Sequence, residues 1–203
     1  YSFVSSTAII FSLNDRTSTR LIRVQERTTD LEKIALTNSL SRKISNKELT
    51  IDEAKSEFIH LQHASLQYSF LTNFFAAAIA CGFFLFMFGG VASDCWIAVI
   101  AGGSAFLTFS FVQRYIQIKF FSEFVAAAVV ISIAATCTKL GIATNQDIIT
   151  IASVMPLVPG ILITNAIRDL LAGELLAGMS RGVEAALTAF AIGAGVAIVL
   201  LII

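Results

Sequence analysis

Hydrophobic and polar positions change rhythm near residue 70. Beyond it, apolar runs separated by short polar breaks predict five membrane spans, at 73–88, 94–111, 121–137, 148–164 and 183–203. A span needs about 20 predominantly apolar residues, so the first run, which is short, should begin before Asn73. Before residue 70 the periods are shorter. Residues 1–13, YSFVSSTAIIFSL, are β-branched and aromatic and read as a strand. Asn14, Asp15, Arg16 and Thr17 supply turn chemistry, and the partly alternating TRLIRV from Thr19 to Val24 pairs back as a hairpin. Thr29 and Glu32 fit a capping box that opens a helix running to about Lys43. Thr50 and Glu53 repeat the device, and Ile51, Ala54, Phe58 and Leu61 mark one apolar face of the helix that follows.

The fourth apolar run is interrupted. Pro156, Pro159 and Gly160 fall inside it, in the segment PLVPG. Proline removes a helical donor and clashes with the preceding turn, so a straight continuous helix is not expected here. Backbone at membrane depth must satisfy its own hydrogen bonds unless it lines a cavity or packs on protein. Two readings follow. In the first, a discontinuous helix offers free backbone groups and a half-helix N-terminus to an anionic group such as a carboxylate. In the second, the prolines make a packing kink. Asn165, Arg168 and Asp169 come next at i, i+3 and i+4, on one helical face. They form either a polar lining, with Arg168 attracting a carboxylate and Asp169 orienting it or titrating, or a solvated face with an internal ion pair. Glu174, Arg181 and Glu184 read as a charged connection into the last span, with Arg181 and Glu184 paired across one turn. Gly178 and Gly182 have the spacing that lets membrane helices approach closely, which assigns them to helix packing.

Composition sharpens the division. The chain is 56% hydrophobic and 14% charged, too apolar for a soluble domain of this length. Residues 1–70 carry nine of the 14 Lys and Arg, and eight of the 14 Asp and Glu. We therefore read residues 1–69 as a small α+β cytoplasmic module. Residues 70–203 read as an all-α integral membrane domain of five transmembrane helices, the fourth broken by Pro-x-x-Pro-Gly. Lys and Arg concentrate before the first span, between the second and third (Arg114, Lys119) and between the fourth and fifth (Arg168, Arg181). The positive-inside rule then puts the N-terminus in the cytoplasm and the C-terminus outside. A first residue that is Tyr suggests a fragment or processed chain.

Candidate chemistry other than transport is sparse. Cys81, Cys95 and Cys137 show no paired spacing, so no disulfide or metal framework is expected. His60, His63 and Glu57 share a helix face but read as solvated rather than as metal ligands. No nucleophile–base pair, phosphate-cradling loop or cofactor signature stands out, so neither enzyme activity nor a cofactor is expected. The zero net charge gives no argument for a nucleic-acid partner.

PLVPG, followed by Asn165, Arg168, Asp169, Gly173, Gly178 and Arg181, resembles the signature region of the threonine/serine exporter family. The N-terminal segments SSTAIIFSL, RVQERTTDLEKI and ELTIDEA, and the layout of a cytoplasmic module before five spans, agree with it. The resemblance implies a secondary exporter of small polar metabolites in the bacterial cytoplasmic (inner) membrane. Threonine and serine are the associated substrates, and two-component relatives are associated with C4-dicarboxylates such as succinate. It also implies a partner: a second membrane component of the same family, fused or separate, or a homo-oligomer. On this reading Pro156, Pro159, Gly160, Asn165, Arg168 and Asp169 contact the solute, and the lipid bilayer surrounds the spans. The rival expectation is a non-transporting membrane subunit that anchors or regulates a complex.

Overall fold

The computed structural model describes residues 2–4, 8–12, 19–23, 30–63, 68–116 and 118–203. The chain divides into two compact units: Val24–Ser69, and Tyr1–Arg23 together with Phe70–Ile203.

In the first unit, helix α1 (Leu31–Ser45) is capped by Asp30, whose Oδ1 accepts the Lys33 N–H at 2.9 Å. The cap lies one residue beyond the expected Thr29, which is outside the described residues. An anionic side chain there satisfies an orphan N–H and also favours the positive end of the helix dipole. Helix α2 (Ile51–His63) begins with the reciprocal box its sequence predicts. Thr50 N–H donates to Glu53 Oε2 at 2.9 Å, and Glu53 N–H donates to Thr50 Oγ1 at 3.4 Å. The Thr50 hydroxyl, first, and its N–H, second, hold the Glu53 carboxyl below the usual glutamate range. Lys33 Nζ meets Gln62 O at 3.4 Å and Lys43 Nζ meets Glu57 Oε1 at 3.3 Å, so α1 and α2 run antiparallel. Glu57 is thereby committed to Lys43 rather than to His60. Leu40 and Ala54 are buried, whereas Ile51 and Phe58 are exposed, so the apolar face expected for α2 is only partly used.

In the second unit, residues 1–13 form two strands rather than one: β1 (Ser2–Val4) and β2 (Ala8–Ser12). The polar residues Ser5, Ser6 and Thr7 separate the two apolar stretches in the sequence. Strand β3 (Thr19–Arg23) returns along β2, giving an antiparallel sheet in the order β1-β2-β3 with Ile10 opposite both Phe3 and Leu21. The predicted turn at 14–17 lies outside the described residues.

The helical part has α3 (Phe70–Met87), α4 (Cys95–Tyr115), α5 (Phe121–Lys139), α6 (Gln146–Val154), α7 (Gly160–Leu171) and α8 (Leu175–Ile202). Among the described residues, four helices are long and apolar enough to cross a membrane: α3, α4 with the turn before it, α5 and α8. A fifth crossing is available if α6 and α7, bent by 64° at their junction, count as one span. Helix α3 starts three residues before Asn73, as its length required. Helix α8 starts at Leu175, not Val183, so the stretch expected as a connection is helical. Its charged residues Arg181 and Glu184 are good helix formers and do not end it. Gly178 does not end it because α7 packs there.

Small residues let these helices approach. Ala98, Ala134, Ala143 and Ala152 pack with Leu85, Ile97 and Ile149 in one cluster. Ala105, Ala126, Ala127 and Val130 pack with Val154, Leu157 and Ile192 in a second. A methyl group at Gly102 would collide with Cys81 Sγ, and one at Gly195 with the Phe124 carbonyl. In a bilayer, close backbone approach and dispersion replace the hydrophobic drive between helices.

Three contacts fix which helix ends lie together. Asp94 binds the N–H groups of Thr144 and Asn145, joining the α3–α4 and α5–α6 connections. Lys139 Nζ donates to Ile203 O at 3.0 Å, joining the C-terminal ends of α5 and α8. At the opposite end, Lys119 Nζ lies 3.6 Å from Glu184 Oε1. Half-exposed Trp96 stands at the Asp94 end, in the first turn of α4.

Candidate functional site: the interrupted helix and its charge pair

The chain leaves helical geometry between Val154 and Gly160. Pro156 has no N–H for the Ala152 carbonyl, and the backbone tightens into a 3-10 turn over Met155–Leu157, with Val158 N–H on Met155 O at 3.1 Å. Pro159 (φ −79°, ψ 55°) then centres an inverse γ-turn, in which Gly160 N–H donates to Val158 O at 2.8 Å. Helix α7 therefore starts on a proline, which has no side chain able to cap it. Thr164 Oγ1 donates back to Gly160 O at 3.0 Å, and a side chain at Gly160 would meet open space. Of the two prolines, Pro156 is exposed and Pro159 half-buried, while Leu157 between them anchors the turn in the core.

A hydroxyl and a thiol are buried beside the turn. Ser153 is fully buried, and its Oγ donates to Ala98 O at 3.2 Å. Cys81 Sγ donates to Ser153 O at 3.8 Å, so a carbonyl near the break is met by a thiol from α3.

Asn165, Arg168 and Asp169 lie on α7, beyond the turn, but not in equivalent surroundings. The Arg168 side chain is 73% exposed, and its Nε lies 3.9 Å from Asp169 Oδ1. Asp169 is only 14% exposed because it turns towards α8, where Arg181, 26% exposed, makes an ion pair through Nη1 to Asp169 Oδ2. Arg181 is thus paired with Asp169, not with Glu184 as local spacing suggested. Glu184 is met instead by Lys119 from the α4–α5 connection. Helix α7 can approach α8 because Gly178 has no side chain: a methyl there would sit 2.7 Å from Leu170 Cγ and 3.0 Å from Ala166 O. Gly182 has more room, with Ala166 Cβ at 3.9 Å.

One buried charge escaped sequence reasoning. Asp94 is fully buried. Its Oδ1 accepts the Thr144 N–H at 3.1 Å, and its Oδ2 accepts the Asn145 N–H at 3.1 Å. It thereby holds the chain at the start of α6, where Asn145 is the N-cap residue and makes no side-chain capping bond of its own. The available signal was a lone acid in a Gly- and Ser-containing break between two apolar runs.

The family model described as "Putative threonine/serine exporter" matches residues 1–203. The chain belongs to the threonine/serine exporter family. No curated protein and no solved structure matches it. As a member of this exporter family the chain is a multi-pass membrane protein of the threonine/serine export type, in keeping with its apolar helices. The family is one of transporters, which points to a small-molecule substrate and a protein set in lipid.

Proposed function

We propose that the chain is a secondary-active exporter, or one component of one. It would move small carboxylate-bearing metabolites, threonine and serine or C4-dicarboxylates, out of the bacterial cytoplasm across the inner membrane. The observation that carries the reading is the junction of α6 and α7, where an interrupted helix leads into Asn165, Arg168 and Asp169.

Depth supports it. The 28 residues of α8 extend about 42 Å at 1.5 Å per residue, against a hydrocarbon core of about 30 Å. If its C-terminal end reaches one interface, the Arg181 and Glu184 region lies near the other. Asp169 is paired with Arg181, and about ten helical residues, roughly 15 Å, separate it from Pro159. The break then falls near the middle of the bilayer, where discontinuous helices bind solutes in transporters. Charge supports the orientation. Arg114, Lys119, Arg168 and Arg181 gather at one end of the helices, and Lys139 alone marks the other. The positive-inside rule makes the first end cytoplasmic, with the C-terminus outside and five crossings in all.

In this reading the solute enters from the Arg168 and Asp169 end. Its carboxylate is drawn to that end and on towards the N-terminus of α7, with Pro156, Pro159 and Gly160 shaping the turn. An ion gradient drives alternating access. Helix α7 packs almost entirely on α8 and leaves Ile163, Ile167 and Leu171 uncovered, which favours a second membrane component as the opposite wall. Flux of labelled threonine, serine and succinate, measured in cells and in proteoliposomes with and without such a component, tests the reading. Export should fall in Arg168→Ala and Pro159→Ala. Unchanged flux in both would remove these residues from the site, and no flux in any pairing would favour an anchoring subunit instead.

A further inference from the structure

We propose that the Asp169–Arg181 ion pair is itself the receptor for an α-amino acid zwitterion: Arg181 takes the carboxylate and Asp169 takes the ammonium group. The inference rests on the export reading and narrows its substrate class.

Of the two arginines at this end of α7 and α8, Arg168 is largely solvated, whereas Arg181 is mostly enclosed. An enclosed charge interacts more strongly with an incoming anion, because less water screens it. A guanidinium presents five N–H donors in a planar fork that fits a carboxylate, and the Asp169 contact uses Nη1. An incoming carboxylate therefore offers Arg181 the same chemistry as Asp169 does. Exchange leaves Arg181 paired throughout and frees the Asp169 carboxylate. A zwitterion supplies a cation for that carboxylate, so both largely enclosed charges end in new pairs. A C4-dicarboxylate instead brings a second negative charge to Asp169, which is repulsive. A monocarboxylate without an amine leaves Asp169 with only the solvated Arg168, 3.9 Å from its Oδ1, a weaker partner for a largely enclosed charge. Asn165, half-buried one turn nearer the break on the Asp169 face, offers its amide to the β-hydroxyl that threonine and serine share.

The two charges stand on different helices, and α7 is held mainly by α8. Inserting a zwitterion between them separates the end of α7 from α8 at the point of entry. The receptor and the first movement of the half-helix are then one event.

The test compares threonine with 3-hydroxybutyrate, which lacks the amine, and with succinate, in proteoliposomes containing the full chain. The wild type should prefer threonine over 3-hydroxybutyrate by about thirtyfold or more in kcat/KM, the size expected for a desolvated charge contact. Succinate should not compete. In Asp169→Asn the preference should collapse towards unity. In Arg181→Lys, KM should rise for both monocarboxylates while their ratio holds. Lys119→Gln should behave as the wild type. Because the decisive quantity is a ratio within one preparation, a smaller folded fraction does not alter it. An Asp169→Asn protein whose flux drops with the ratio unchanged, or that loses both fluxes, assigns the pair to packing and overturns the inference alone. A wild type that moves neither threonine nor serine overturns the export reading, and this inference with it.

Discussion

Helices α6 and α7 meet at one break yet are held in different ways. Helix α6 is tied down at both ends. Asp94 grips the backbone at its start, Ser153 bonds to α4 near its end, and Ile149 and Ala152 are fully buried in the core between. Helix α7 has one principal neighbour, α8, which it meets along its length, with a close glycine contact at Gly178 and one ion pair. Ala166 is its one buried residue. The comparison teaches that the break separates a fixed half from a half whose position depends on a single interface. A helix that must move in a transport cycle comes from the weakly attached side, since local opening costs least where few contacts are buried.

The comparison can be broken most severely at Asp94. Replacing it with Ala leaves the Thr144 and Asn145 N–H groups without their buried acceptor, at a cost of about 3 kcal/mol. Thermal unfolding in detergent reads the loss. Amide exchange in α6 should rise towards that of α7, and if α6 stays fully protected, Asp94 is not its anchor. Gly178→Val should cost less, about 1–3 kcal/mol, by forcing Leu170 and the Ala166 carbonyl away. Here exchange should quicken over 160–171 and stay slow over 146–154. Equal acceleration in both halves would show that α7 is not independently attached. Ser153→Ala should loosen the end of α6 by about 1 kcal/mol, again measured by unfolding, with α7 unaffected. The smallest effect lies outside both halves. Because folding lowers the Glu53 pKa, its contribution to α2 is fully present above the unfolded-state pKa. It is lost as pH falls through the lower folded value. Helicity of α2 should weaken on acidification through that range, while exchange in α6 and α7 stays as it was.

Much of the fold was legible because local rules suffice for it. Apolar runs of membrane length marked the helices, Thr50 and Glu53 announced the start of α2, and Pro156 and Pro159 announced the break. What escaped depends on partners distant in sequence. Arg181 has Glu184 three residues away, but its partner is Asp169 on another helix, a choice that becomes visible only when α7 packs at Gly178. Asp94 stood at the start of the second expected span with no role assigned, because the N–H groups it accepts, of Thr144 and Asn145, lie 50 and 51 residues further on. The start of α8 was placed late because the charges were read as a connection, although Arg and Glu favour helix, and because Gly178, which would loosen an isolated helix, is packed against α7. Side chains such as Asn165 and Arg168 were placed on one face correctly by periodicity, yet periodicity carries no information on which of them faces a neighbour.

Trp96 is the chain's single tryptophan, two residues from the Asp94 anchor and half exposed. The protein thus carries its own optical label at the fixed end of the interrupted helix. Its emission wavelength, and its quenching by lipids brominated at known positions along the acyl chain, report how deep that end lies, with no probe introduced. A displacement confined to α7 should leave this signal unchanged, whereas loosening of the anchor should shift it, so intrinsic fluorescence separates the two.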